Sequence, residues 1–299
     1  MTDNRQGSQK NSFSLAPALS LKAVAPVARG GYAPAPRSLT DTGVLREIVH
    51  VIDDFDLPEF TTVAARFGAD RYGYVVTPNV DHLIRYHEDA AFRAHYRAAS
   101  FVLMDSRVAA RIVRLLKGVR LPVCTGSDLT VKLLSQVAQP DDRIVLIGGS
   151  EQQAQQIAAT YGLKNLRHHN PPMGFIKDPM AVECCLSFIE DASPFRFCFL
   201  AVGSPQQEEI AQLLQARNVA RGLALCVGAS LNFITGAEKR APRWMQGMAL
   251  EWLYRLLQSP RRLFHRYLLR GPRILTCLRR SRVVLRRTET QTLNADPAT

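Results

Sequence analysis

The chain has 299 residues, 46% of them hydrophobic, with a net charge of +12. That is enough for one large α/β domain or two modest ones, and no apolar run reaches the roughly 18–20 residues of a spanning helix. Between Lys239 and Arg287 thirteen arginines and one lysine face a single acid, Glu251, so the rest of the chain is close to neutral and one segment carries the basicity.

Residues 1 to about 40 are rich in Ser, Ala, Pro and Gly without a sustained period. They read as a flexible tail and lack the basic-then-apolar layout of a secretory signal. LREIVHVI (45–52) is apolar enough for a strand, and LPEFTTVAARF follows with helical spacing. YGYVVT (72–77) is a strand by its aromatic and β-branched content. VDHLIRYHEDAAFRAHYRAA reads as one helix, SFVLMD (100–105) as a strand, and SRVAARIVRLLKG as a helix closed by Gly118. In SDLTVKLLSQVA, Ser127 or Asp128 is a plausible N-cap. RIVLIGG (143–149), FRFCFLAVG (195–203) and GLALCVGA (222–229) are buried strands, with EQQAQQIAATYG and QQEEIAQLLQA as helices between them. Continuous apolar strands alternating with helices predict a Rossmann-like, mostly parallel sheet covered on both faces.

In such sheets ligands lie beyond the carboxyl ends of the strands. Four polar clusters follow apolar runs directly: TPN (77–79), DSR (105–107), GSPQQE (203–208) and GASLNFITG (228–236). Asp105 has two readings. By position it is an N-cap for the helix after it; a strand-end carboxylate can also be a general base. Thr77 and Asn79 bracket Pro78, which keeps Thr77 extended. An Asx-type turn is the plain reading, and a pair of polar groups aimed at a sugar or base is the functional one. Gly203 ends a strand and Pro205 begins a helix whose free amides suit phosphate, a weak signal alone.

RIVLIGGS lacks the third glycine of a dinucleotide fingerprint, which disfavours a nicotinamide enzyme. DDFD (53–56) contains Asp-x-Asp but lies before a helix and reads as a capping loop. His82, His87, His168 and His169 have no metal-binding spacing, so no metal and no cofactor is expected. The six cysteines (Cys124, Cys184, Cys185, Cys198, Cys226 and Cys277) form no CxxC pair and read as small hydrophobes in a reducing compartment.

The basic segment is also apolar. Leu250, Leu253, Tyr254 and Leu257 share one helical face, Ser259 and Pro260 restart a helix, and Leu263, Phe264, Tyr267 and Leu268 form the next face. Arg261, Arg262, Arg266 and Arg270 lie between them, and Pro272 precedes ILTCLRRSRVVLRR. Short amphipathic helices with arginine-rich polar faces suit the interface of an anionic membrane; a helical bundle with a solvated basic face is the alternative.

The clusters, in this order, resemble the WecG/TagA/CpsF glycosyltransferases, glycosyltransferase family 26, from about residue 45 to 275. The motifs are Thr77-Pro78-Asn79, Asp105-Ser106, Gly126-Ser127-Asp128-Leu129, Gly203-Ser204-Pro205-Gln206-Gln207-Glu208 and the run VGASLNFITGAEKRAPRWMQGMALEWLYRLLQSPRRLFHRY. Ser106 stands where the family has Gly, Gln206 where it has Lys, and Asn232 where it often has Asp. Leu121-Pro122-Val123 replaces a usual Arg, with Arg120 nearby.

The resemblance implies an inverting, metal-independent hexosyltransferase. It would move a hexose or N-acetylhexosamine, of N-acetylmannosamine or glucose type, from a UDP-sugar to a polyprenyl-diphosphate-linked acceptor. The product would belong to bacterial exopolysaccharide or cell-surface polysaccharide. Asp105 is then the base, Thr77 and Asn79 position acceptor or donor, and Gln207 and Glu208 line the nucleotide side. Arg240, Arg255 and Arg262 balance the diphosphate. Gly126, Asp128, Gly203 and Asn232 complete the substrate-binding set through their motifs. The implied organisation is a tail over 1–40, an α/β core over 41–238, a basic amphipathic helical appendage over 239–287 and a tail over 288–299. The implied location is the cytoplasm, peripheral on the inner face of the plasma membrane, with no nucleic-acid partner and a homo-oligomer left open. An inactive membrane-docking scaffold and a nucleic-acid-binding protein are the competing readings.

Overall fold

The computed structural model describes residues 48–238 and 240–286, without the side chains of Arg243 and Arg262. The tails expected over 1–40 and 288–299 lie outside the described residues. In chain order the elements are β1 (Ile48–Asp53), α1 (Leu57–Arg66), β2 (Tyr72–Val76), α2 (Val80–Glu88), α3 (Ala90–Ala98), β3 (Phe101–Val102), α4 (Arg107–Lys117) and α5 (Gly126–Gln136). There follow β4 (Ile144–Ile147), α6 (Glu151–Tyr161), β5 (Leu166–His169), α7 (Pro179–Asp191), β6 (Phe197–Leu200), α8 (Gln206–Arg217) and β7 (Gly222–Cys226). After α9 (Ser230–Ile234), the basic segment holds α10 (Arg243–Gly247), α11 (Glu251–Gln258), α12 (Pro260–Phe264), a π-helical stretch His265–Arg270, α13 (Arg273–Arg279) and β8 (Ser281–Arg286).

The main sheet has the order β3-β2-β7-β6-β4-β5, and every pair in it is parallel. The expected architecture is therefore the observed one. Side chains alternate across the sheet as the strand period requires. Along β6, Phe197 and Phe199 enter one apolar layer and Cys198 and Leu200 enter the other. Each such burial stabilises by roughly 1.5–3 kcal/mol, and helices on both faces supply the partners.

Local chemistry sets the boundaries. Asp56 and Glu59 close a reciprocal capping box at the start of α1, so the DDFD stretch does act as a cap there. Asp53 is a different case. It is fully buried, and its carboxylate accepts from Arg286 at 2.5 and 2.7 Å and from the Val102 amide at 2.7 Å. The helix expected over 80–99 is two helices. Asp89 ends α2, and its side chain accepts from Ala91 and Phe92 to begin α3. The cap of α5 is Thr125, one turn earlier than Ser127 or Asp128, and its hydroxyl accepts from the Asp128 amide.

Two further differences concern the ends. The strand near residue 50 belongs to a separate two-stranded parallel sheet with β8, and SRVVLR is that strand, not helix. Ile274, Cys277 and Leu278 of α13 are buried in the same apolar layer as Ile52 and Val76. The end of the basic segment is thus built into the core. Five of the six cysteines are buried, Cys184 is exposed, and all are free thiols. Among the described residues no helix is long and apolar enough to cross a membrane.

Candidate active site

The four polar clusters follow β2, β3, β6 and β7, which lie side by side in the sheet. Their carboxyl ends open into one cleft of about 690 Å³, roofed by Phe233 of α9 and by the basic segment through Arg240, Trp252, Arg255, Arg266 and Tyr267. Sequence separations of more than a hundred residues vanish here because parallel strands all end on the same side.

Asp105 lies in the floor of the cleft. Ser106 makes the helix cap instead, its hydroxyl accepting from the Ala109 amide at 3.1 Å. That removes the bland reading of Asp105. Its own N–H donates to the Pro78 carbonyl at 3.0 Å, and its Oδ1 accepts from the Gly126 amide at 3.0 Å. Burial pushes the Asp105 carboxyl up to about 7, and nearby Glu251 and Asp128 push the same way. The Gly126 hydrogen bond and the Arg255 charge oppose that rise. A carboxyl so placed exchanges protons near neutrality, as a general base must.

Gly126 packs tightly against β2 and the loop after β7. A Cβ there would stand 3.1 Å from Thr77 Oγ1. This close approach lets the start of α5 donate to Asp105. Thr77 Oγ1 in turn donates to the Cys226 carbonyl at 3.1 Å, tying the ends of β2 and β7. Asn79 caps α2, its Oδ1 accepting from Asp81 and His82 amides at 3.0 and 3.3 Å. It still lines the cleft, so the Asx-type turn and a place in the site coexist. Gly203 lines the cleft with φ +82°, a backbone shape that suits glycine.

Arg240 pairs with Asp128 at 2.6 Å and donates to the Ser127 hydroxyl. Phe233 lies under two guanidinium groups, with Arg255 4.8 Å and Arg240 5.9 Å from its ring centre. The negative face of the ring offsets the repulsion between them. The roof is fastened to α4. Arg107 pairs with Glu251 at 2.9 Å, and Arg111 donates to the Gly247 and Met248 carbonyls at 2.5 Å each.

Not every expected residue reaches the cleft. Glu208 is fully buried beneath it and accepts from Gln207 Nε2 at 3.0 Å and Tyr96 Oη at 3.5 Å. Burial pushes its carboxyl up. Gln207 does line the cleft, but its Oε1 is taken by the Gly228 amide at 2.8 Å, so it braces the loop after β7. Asn232 faces α6, accepting from Gln153 at 3.2 Å. The Arg262 side chain lies outside the described residues.

Sequence reasoning missed Asp81 and Arg85, which line the cleft, and gave no role to Arg107 and Phe233, which line it from within two of the clusters. Only the i,i+4 spacing of Asp81 and Arg85 left a local trace. Among the described residues no three His, Cys, Asp or Glu side chains gather in a metal-binding group.

Taken together, the cleft joins a carboxyl raised to about 7, neutral polar groups at strand ends and a set of arginines. The family model for the glycosyl transferase WecG/TagA/CpsF family matches residues 47–288, which span the whole sheet, the cleft and its roof.

Proposed function

Because the chain belongs to the WecG/TagA/CpsF glycosyltransferase family, we propose that it transfers a hexose or N-acetylhexosamine from a UDP-sugar to a polyprenyl-diphosphate-linked acceptor, with inversion at the anomeric carbon. Glycosyl transfer in polysaccharide biosynthesis is the family's activity. The donor, the acceptor and the stereochemistry belong to the proposal.

The observation that carries it is Asp105, freed from capping by Ser106 and raised to about 7 at the floor of the cleft. In the proposed step Asp105 takes the proton from the acceptor hydroxyl. That oxygen then attacks the anomeric carbon from the face opposite the nucleotide. The bond from that carbon to the diphosphate breaks, and UDP leaves with the electron pair. Arg240 and Arg255, held on Phe233, meet the charge that develops on the departing diphosphate. Guanidinium forks match phosphate oxygens, so arginines can fill the part a cation plays elsewhere. Metal independence belongs to the same proposal, and undiminished turnover in a chelator is its check.

The roof supports peripheral attachment to an anionic membrane. Trp244, Leu257, Phe264 and Leu269 are more than half exposed there, and Arg261, Arg273 and Arg280 of the same segment are exposed as well. Apolar side chains bordered by arginines fit the headgroup boundary. An inner-leaflet, cytoplasmic location follows from this reading.

The test is UDP release from a panel of UDP-sugars with a lipid-diphosphate-linked acceptor. The expected result is acceptor-dependent release with at least one donor, lost in Asp105→Asn. No release with any donor would favour the inactive scaffold; undiminished release in the variant would remove Asp105 from the mechanism.

A further inference from the structure

The cleft holds a second group of arginines that the leaving diphosphate does not use. Asp81, in the first turn of α2, is nearly buried, yet three guanidinium groups crowd it. Arg85 lies 3.4 Å away, Arg266 3.7 Å and Arg270 3.3 Å. Arg270 is shared with Glu88 at 3.1 Å. Arg85 and Arg266 line the cleft, and among the described residues Asp81 is the carboxylate that they share. Arg266 also reaches Asn79 Oδ1 at 3.5 Å, while its buried Nε has no hydrogen-bond partner. One carboxylate cannot satisfy so many donors, since each guanidinium carries five. The corner therefore has spare positive charge and spare donors facing the cleft.

This corner is distinct from the Arg240 and Arg255 group. Arg240 pairs with Asp128 and rests with Arg255 on Phe233, so among the described residues the two groups share no carboxylate. The walls also differ. Tyr267, Ile274 and Leu275 line the cleft from the same segment as Arg266. Phe264, Leu268, Leu269 and Leu275 in that stretch are exposed apolar side chains. Cations beside an apolar track suit a ligand whose diphosphate is joined directly to a hydrocarbon chain.

We propose that Arg85 and Arg266, organised by Asp81, bind the diphosphate of the lipid-linked acceptor, with Tyr267, Ile274 and Leu275 against its first isoprenoid units. The two diphosphates of the reaction then occupy separate cationic sites, the donor's on Arg240 and Arg255. The inference rests on the transferase reading for the nature of its ligand. Asp81 keeps both arginines in place before the ligand arrives, and the ligand completes a charge balance that this one carboxylate leaves unfinished.

The test is calorimetric titration of the full chain with UDP, farnesyl diphosphate and inorganic pyrophosphate. Wild type is compared with Arg85→Gln, Arg266→Gln and Arg240→Gln, each first checked for an unchanged melting temperature. Losing one charge-assisted contact should weaken the cognate ligand by about tenfold or more. Arg85→Gln and Arg266→Gln should weaken farnesyl diphosphate and spare UDP, and Arg240→Gln should do the reverse. Farnesyl diphosphate should bind more tightly than pyrophosphate. UDP and farnesyl diphosphate displacing one another, or losing affinity together in every variant, would mean one shared site and would overturn the proposal. Equal affinity for pyrophosphate would overturn the isoprenoid contact. Farnesyl diphosphate held through Arg85 by a protein that does not bind UDP would support this site while sinking the transferase reading.

Discussion

At the scale of single residues, Asp105 gives up stability for reactivity. Its carboxyl titrates near 7 in the folded chain against an ordinary 3.8. Between roughly those two values the folded state keeps a proton that the unfolded chain has released. Stability therefore falls as pH rises through that window and the penalty disappears below it. Asp105→Asn keeps the acceptor for the Gly126 amide and removes the penalty. It should melt higher than wild type at pH 8, with the gap closing toward pH 4, while transfer falls by about 10²–10⁴-fold. Differential scanning calorimetry across pH checks the first part. Phe233 makes a second prediction. Phe233→Leu keeps apolar bulk but loses the ring face, so UDP should bind several-fold more weakly, and Phe233→Tyr should restore it. Of these two residues only Asp105 was legible from its neighbours, because a carboxylate at a strand end before a helix stands out. Ser106 next to it is an equally good cap residue, and local sequence could not say which of the two caps α4. Phe233 left no signal, since its role depends on Arg255, 22 positions on and brought over it by the roof.

At the scale of elements, the clearest strands of the main sheet are the central ones, buried on both faces. VLI in β4, FCFL in β6 and LALC in β7 are unbroken apolar runs because the helices cover them on both sides. β5 (LRHH) is the edge strand of the sheet, with polar side chains and no such run. β8 escaped for another reason. SRVVLR lies among arginines whose spacing also fits an amphipathic helix, and only pairing with β1, more than 230 residues away, selects the strand. A two-stranded sheet is weak alone. Asp53 holds this one, joining Arg286 of β8 to the Val102 amide of β3. Asp53→Ala would leave that amide unpartnered and Arg286 unpaired. Because Arg286 is partly solvated, the expected loss is about 2–3 kcal/mol, measurable by urea denaturation.

At the scale of the whole molecule, the basic segment has two parts. Its end is structural, with Ile274 and Leu278 in the core and β8 paired to β1. Its middle carries the exposed apolar side chains and the arginines of the roof. Removing residues 240–299 would therefore strip core contacts as well as arginines, so lost activity in that truncation would not single out the arginines. Point changes separate the two. Phe264→Ser with Leu269→Ser alters only exposed side chains and should leave the melting temperature within a degree or two. It should reduce sedimentation with phosphatidylglycerol vesicles several-fold, and binding of the wild type should weaken with salt. The charge count alone located this segment in the sequence. Its division into core and roof was not legible, since both parts have the same composition and differ only in what packs against them.

The proposed transfer depends on Asp105 as the base, and the pH dependence of kcat/KM for transfer tests that role most directly. Burial places its carboxyl near 7, so the rate should fall about tenfold per pH unit below that value and level off above it. A profile flat from pH 5 to 8 in the wild type would contradict the claim that Asp105 accepts the proton.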